Sequence, residues 1–302
     1  MIQSPLNYTG GKYKLLPQIL PLFPQNIHTF VDLFCGGCNV GINVQADSFL
    51  YNDICSPLIH LYSVMQRTRP QEFVQSLENV IERYGLSDVK THGYRFYGCN
   101  SADGLSQYNR KHYLALRNDF NARLVHDDEY YICLYVLIVY AFNNQIRFNR
   151  KGAFNLPPGK RDFNQRMYEK LIIFLNTLQA QNASFFNQDF RTLDLTQLDE
   201  KDFVYADPPY LITCAAYNEQ GGWTAENEAD LLHLLDQLSS RNIRFALSNV
   251  LESKGRKNAV LSQWLNRRPD YRMIDLNYHY RNSNYQRKHK NTATREILVI
   301  NY

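Results

Sequence analysis

Hydrophobic positions in this chain form short runs near both ends and helical stripes in between. The run His28–Phe34 (HTFVDLF) has the β-branched and aromatic character of a strand and ends at a Gly/Cys turn. A helix is expected near Asn39–Ala46, then a strand over Phe49–Asn52 that ends in Asp53. Pro57 opens a helix whose Leu58, Leu61, Tyr62 and Met65 recur at roughly i, i+3, i+4, i+7. That alternation predicts an α/β fold with a parallel sheet. From about Arg67 to Ala183 the pattern turns helical and rich in Tyr, Asn, Arg and Gln. Its apolar segment Tyr131–Phe142 predicts a buried helix, and the Gly/Pro/Asn-rich Asn143–Arg166 predicts loop. Strands are expected again at Ser184–Asn187, Phe203–Ala206, Ile243–Ser248, Met273–Leu276 and Ile297–Ile300. Helices at about Ala225–Ser240 and Asn258–Leu265 separate some of them. The last two strands have no helix between them, which predicts an antiparallel hairpin at the sheet edge. The expected organisation is one α/β domain made of residues 1–66 and 184–302, with a mainly helical insertion over 67–183.

Composition adds bounds. With 302 residues, 44% of them hydrophobic, the chain can bury a full core without disulfides or metal staples. A net charge of +4 permits a nucleic-acid partner without demanding one. The segment MIQSPLNYTGGK has no apolar h-region, so no secretory signal is expected. The longest apolar stretch, Tyr130–Phe142, is short of the ~20 residues of a membrane helix. Six cysteines then read as reduced thiols in a cytoplasmic protein.

Two segments carry chemistry. Asp32-Leu33-Phe34-Cys35-Gly36-Gly37 follows a strand, at the end of the sheet where nucleotides bind in doubly wound folds. Asp53, about twenty residues on, stands where an acid accepts hydrogen bonds from ribose hydroxyls. The glycines lack the G-x-G-x-x-G spacing of a pyrophosphate cradle, which suits an adenosine cofactor without phosphate, such as S-adenosylmethionine. A plain tight turn with a surface Asp stays as the alternative. Cys35 and Cys38 cannot by themselves fill a zinc site, although a redox dithiol stays open. Gly10-Gly11-Lys12 lacks the upstream glycine and the Ser/Thr of a P-loop.

The second segment is Asp207-Pro208-Pro209-Tyr210, directly after an apolar strand. Two prolines stiffen the loop and remove two donors, leaving carbonyls free to accept. Asp207 and the Pro208 carbonyl could each accept one hydrogen of an amino group on a planar base, with Tyr210 stacked on the ring. Such a loop would aim the amino lone pair at a methyl donor and stabilise charge developing on nitrogen.

At these residues the chain resembles the Dam-type (D12 class) DNA adenine methyltransferases, most closely their phage-encoded branch. The resemblance rests on runs in the family's order: Tyr8-Thr9-Gly10-Gly11-Lys12, Phe30 to Gly37, Asn52-Asp53, Ile146-Arg147-Phe148-Asn149, Pro158-Gly159-Lys160-Arg161, Asp207 to Thr213, and Leu247 to Glu252. It implies a Rossmann-like sheet and methyl transfer from S-adenosylmethionine to the 6-amino group of adenine in double-stranded DNA. It implies Asp207, Pro208, Pro209 and Tyr210 as the catalytic loop. Tyr8, Lys12, Asp32, Phe34, Gly36, Asp53, Asp189, Phe190 and Asp207 would contact the cofactor. No metal or membrane is implied, and a cognate restriction endonuclease is an optional partner.

A base in a duplex must be flipped out to reach such a loop, at a cost of roughly a few kcal/mol. Two basic runs could offset it. Asn143–Arg166 carries six cations against Asp162, and Leu276–Arg295 carries Arg281, Arg287, Lys288, Lys290 and Arg295 without an acid. By resemblance Asn143, Gln145, Arg147 and Arg161 fall in the target-recognition segment and Tyr217 near the flipping loop. Arg287 and Lys288 are expected on phosphate, which positions without specifying. Asn7 replaces the base-reading lysine of cellular Dam enzymes, and Asn143-Asn144-Gln145 replaces the family's usual Asn-Gly-Leu. GATC is therefore the default target, with a related short site as the variant. A catalytically silent DNA-binding regulator, or a methyltransferase for cytosine or RNA adenine, are the competing readings.

Overall fold

The computed structural model describes residues 1–213, 222–277 and 294–302. Their strands are β1 (Ile27–Asp32), β2 (Ala46–Asn52), β3 (Ala183–Phe186), β4 (Phe203–Ala206), β5 (Arg244–Ser253), β6 (Arg256–Lys257), β7 (Arg272–Leu276) and β8 (Thr294–Ile300). They join in one sheet of order β3–β2–β1–β4–β5–β8–β7, with the short β6 beside β5. The first five strands of that order run parallel. Strand β8 is antiparallel to both β5 and β7. The α/β class expected from the strand rhythm is the class observed.

The final antiparallel pair forms at the sheet edge as expected, with β7 outermost. The pattern explains the order. Ile297 to Ile300 are buried in succession, as an inner strand requires, whereas most of β7 is exposed or partly exposed. The helix expected over Asn39–Ala46 shrinks to a 3-10 turn at Gly41–Asn43. Strand β2 already pairs with β1 from Ala46, where Ala46 lies opposite Ile27. Too few residues remain for an α-helix.

The described residues divide into two compact units. One comprises Lys12–Cys35, Asn43–Ile54 and Asn182–Tyr302 and holds the sheet. The short α1 (Leu16–Ile19), α8 (Ala225–Ser240) and α9 (Ala259–Arg267) belong to it. One sheet face buries Val31, Val204, Phe245, Leu247 and Val299 against Leu231, Leu235 and Trp264 of the last two helices. Thr224 starts α8 with a capping box to Asn227, and Asn258 caps α9. Phe23, Phe30, Phe203 and Tyr205 form an aromatic group elsewhere in this unit.

The other unit comprises Met1–Gly11, Gly36–Ile42 and Cys55–Gln181. Its helices are α2 (Ser56–Arg67), α3 (Pro70–Tyr84), α4 (Val89–Phe96), α5 (Ser106–Ala122), α6 (Asp128–Tyr140) and α7 (Gln165–Ala180). Helix α6 is apolar on every side, and Tyr130 to Tyr140 are all buried, with α2, α3 and α5 packed on it. The carboxylate of Asp162 is buried in the same unit. It accepts from the Val89 N–H at 2.8 Å and the Ser87 hydroxyl at 3.3 Å, and burial pushes its pKa up to about 6.

Candidate active site

Strand β4 ends at Ala206, and the chain leaves the carboxyl end of the sheet through Asp207-Pro208-Pro209-Tyr210. Asp207 Oδ1 accepts from Lys12 Nζ at 2.9 Å and from the Tyr210 hydroxyl at 2.9 Å. Glu296 Oε1 lies 3.0 Å from the same hydroxyl, so the two carboxylates share its single hydrogen, and Lys12 Nζ lies 3.4 Å from that Glu296 oxygen. That ammonium stands over the Tyr210 ring, 4.7 Å from its centroid. Lys12 and Glu296 side chains are each 2% exposed, while Asp207 keeps 18%. Among the described residues no hydrogen bond reaches Asp207 Oδ2. One oxygen of the carboxylate is thus anchored, and the other is left for a ligand.

Burial pushes the Asp207 pKa above the usual carboxylate range. Lys12 and the Tyr210 bond oppose that shift, and the Glu296 charge adds to it. Behind the loop, Tyr205 on β4 shares a 2.8 Å hydrogen bond with Ser248 on β5 and is fully buried.

The first turn lies beside this loop in the sheet. Asp32 pairs in register with Tyr205, and the Leu33 N–H donates to the Tyr205 carbonyl at 2.9 Å. Asp32 is buried, and so is Asp53, which excludes the surface position left open for it. Asn52 holds the strand ends together. Its amide donates to the Leu33 and Gln188 carbonyls at 3.2 and 3.1 Å, and its Oδ1 accepts from the Gln188 N–H at 3.1 Å. Phe34 and Phe190 approach to 5.4 Å between ring centroids, and Trp223 lies 5.7 Å from each. Asp189 pairs with Arg191 at 2.9 Å, and Arg191 also reaches Asp230.

Sequence reasoning missed three residues of this unit. Glu296 is a lone acid in an apolar strand, and a buried acid there was the available signal. Asn52 stood in a quoted motif without a role. Glu228 is fully buried and accepts from Trp223, Asn249 and Asn258, fixing the aromatic group to β5 and α9.

In the helical unit the ring of Tyr8 covers Gly36, whose φ is +44°. A Cβ at Gly36 would lie 3.0 Å from two ring carbons, so glycine is what lets the tyrosine lie down on the turn. Cys35 and Cys38 are both buried. Among the described residues no group of three or more His, Cys, Asp or Glu side chains could hold a metal ion. No helix among them is long and apolar enough to cross a membrane.

The basic segment after α6 is a pinned hairpin. Phe148 bridges Phe154, and Ala141 bridges Pro158. Tyr113 and Arg117 on α5 donate to the Leu156 carbonyl, and Asn121 exchanges two bonds with Phe154. Arg147 donates through Nε to Asn155 Oδ1 at 2.8 Å and through Nη2 to the Asn155 carbonyl at 3.2 Å. Asn155 was not singled out from sequence, yet it orients that guanidinium. Asn143 adopts φ +56°, and its carbonyl accepts from Asn7 at 2.7 Å. Gln145 continues the turn through its N–H to the Phe142 carbonyl, and exposed Arg161 donates to the Tyr94 hydroxyl at 3.4 Å. Tyr217, Arg287 and Lys288 lie outside the described residues.

Gly159 seals the hairpin base: its N–H donates to the Tyr140 carbonyl at 2.7 Å, and a Cβ there would lie 2.3 Å from the Ala141 carbonyl oxygen. Gly159→Ala is expected to destabilise the protein by about 1–3 kcal/mol through that backbone clash. Thermal melts of the pair check it; an unchanged midpoint would contradict the packing.

Residues 8–286 match the family described as D12 class N6 adenine-specific DNA methyltransferase. The chain belongs to that family. A modification methylase, StsI of Streptococcus sanguinis, is 39% identical over all of this chain and 43% of its own length. The type II methyltransferase M.FokI of Planomicrobium okeanokoites is also 39% identical, over 100% of this chain and 43% of its own length. The chain therefore spans less than half of these two relatives. The DNA adenine methylase of Escherichia coli (strain K12) is 26% identical over 81% of this chain and 79% of the relative. The family resemblance drawn from the ordered motifs is thus the membership that the whole chain displays.

Proposed function

We propose that this chain methylates adenine in duplex DNA, at the 6-amino group, with S-adenosylmethionine as donor. The half-anchored Asp207 carboxylate carries the reading. Its Oδ1 is held by Lys12 and Tyr210, so Oδ2 can accept a hydrogen bond from an amino group and then its proton. When bound, S-adenosylmethionine supplies an electrophilic methyl group on a sulfonium. The residues suit an adenosine cofactor. Phe34, Phe190 and Trp223 offer an apolar group of mutually tilted rings, and Asp53 follows the end of β2. Asp53 would accept from the ribose hydroxyls, with Asp32 and Asp189 of the same unit in further contacts. Lys12 was expected on the cofactor; its ion pairs support a part in the catalytic loop instead.

The segment 67–183 is proposed to recognise the target, which must be flipped from the duplex. GATC or a related short site is the proposed target. Arg147→Ala is expected to relax specificity at one base pair by ~1–3 kcal/mol. Methylation rates on single-base variants of the site check this. Uniform weakening on every sequence would make Arg147 a phosphate contact.

The deciding experiment is modification-sensitive sequencing of DNA from a methylation-free host that expresses the chain, beside its Asp207→Ala variant. Methylated adenine in one short motif, absent with the variant, is the expected result. No modification in either would favour a silent DNA-binding relative, and methylated cytosine would correct the base.

A further inference from the structure

Glu296 sits on β8, a strand that none of the quoted motifs reaches, yet it shares Lys12 and Tyr210 with Asp207. The geometry points to Glu296 as a positioning residue of the methyl-transfer site, one that fixes the Tyr210 hydroxyl and divides the charge of Lys12 between two carboxylates. The inference rests on the adenine methyltransferase reading and adds a residue to it.

Consider the pocket without Glu296. Lys12 would lose its second carboxylate, and the ammonium could settle between both oxygens of Asp207. Oδ2 would then lose its availability to a substrate amine. With Glu296 present, Lys12 is drawn to one side and Tyr210 spans the two acids, so only Oδ1 is engaged. The stiff Pro208-Pro209 segment carries this orientation to the rest of the loop.

Charge follows geometry. Two carboxylates and one ammonium leave the cluster with one excess negative charge, inside a nearly dry pocket. Among the described residues, Lys12 from the N-terminal segment, Tyr210 from the loop itself and Glu296 from β8 act on Asp207, with Tyr205 on β4 and Asp32 at the end of β1 behind the loop. Glu296 raises the proton affinity of Asp207, and Lys12 lowers it. A more basic Asp207 is the better acceptor for the proton that the amino nitrogen sheds once it is methylated.

The test compares wild type, Glu296→Gln and Glu296→Asp in single-turnover methylation of a duplex, across pH, with cofactor and DNA affinities measured separately. Glu296→Gln keeps the shape and removes the charge. Its rate is expected to fall about ten- to hundredfold, with both affinities within about threefold. Its acid limb is expected at lower pH than in wild type, because the charge that raised Asp207 is gone. Glu296→Asp keeps the charge, so its limb should stay in place while its rate falls. A carboxylate NMR titration of Asp207 without cofactor, assigned with Asp207→Asn, should show the same downward shift in Glu296→Gln. If Glu296→Gln does not fold, an unchanged rate in Glu296→Asp overturns the inference. In folded Glu296→Gln, an unchanged rate, or a lost rate with an unmoved limb and an unmoved Asp207 titration, overturns it as well. Absence of methyl transfer by wild type would instead overturn the underlying reading.

Discussion

Asp207→Ala is expected to lower methyl transfer about 10³-fold or more while cofactor affinity stays within about tenfold. In the proposed mechanism the carboxylate holds the amino group and receives its proton, so its loss falls on the transition state. The fold should survive the change. Lys12 Nζ already lies 3.4 Å from Glu296 and keeps a counter-charge when Asp207 is gone. Tyr210 likewise keeps its bond to Glu296. Single-turnover kinetics and cofactor calorimetry on one preparation decide it. Equal losses in binding and turnover would show that Asp207 serves binding, and the assignment would fall.

The second large effect concerns stability. Lys12→Met is expected to destabilise the protein by about 3–5 kcal/mol at pH 8, because it removes the ammonium that Asp207 and Glu296 share in a buried pocket. The deficit should shrink towards pH 5. Two adjacent buried carboxylates without that ammonium hold a proton more tightly than the same groups in the unfolded chain. The variant's stability therefore falls as pH rises from the ordinary carboxylate range through the raised folded value, and is recovered below it. Denaturant melts of wild type and variant at pH 5 and pH 8 measure the difference. A deficit equal at both pH values would mean that lost packing of the lysine stem, and not bare charge, is responsible.

Much of the catalytic loop was legible before any coordinates. An apolar strand running into Asp-Pro-Pro-Tyr states its own geometry: the prolines fix the backbone, and the strand places the loop at the sheet's carboxyl end. The same holds for helix α6, whose unbroken apolar run can only be buried, and α8 forms over Ala225–Ser240, where it was expected. Local signals failed where long-range pairing decides. The helix expected after β1 lost its residues to β2, since pairing with β1 draws Ala46 into the sheet. Helical pattern carries no information about a neighbouring strand's claim.

The sequence alone determined the α/β class and the order of its motifs, and it singled out Asp207 as the acid proposed for the substrate amine. These follow from residue spacing along one stretch of chain, where stereochemistry acts between near neighbours. Tertiary structure decided what those residues face. Lys12 and Glu296 are 284 positions apart and reach Asp207 and Tyr210 only because β8 inserts between β5 and β7. Asn155 grips Arg147 only because the hairpin folds back at Phe148 and Phe154. An ion pair depends on distance in space, and pairing of distant segments, not local spacing, sets that distance.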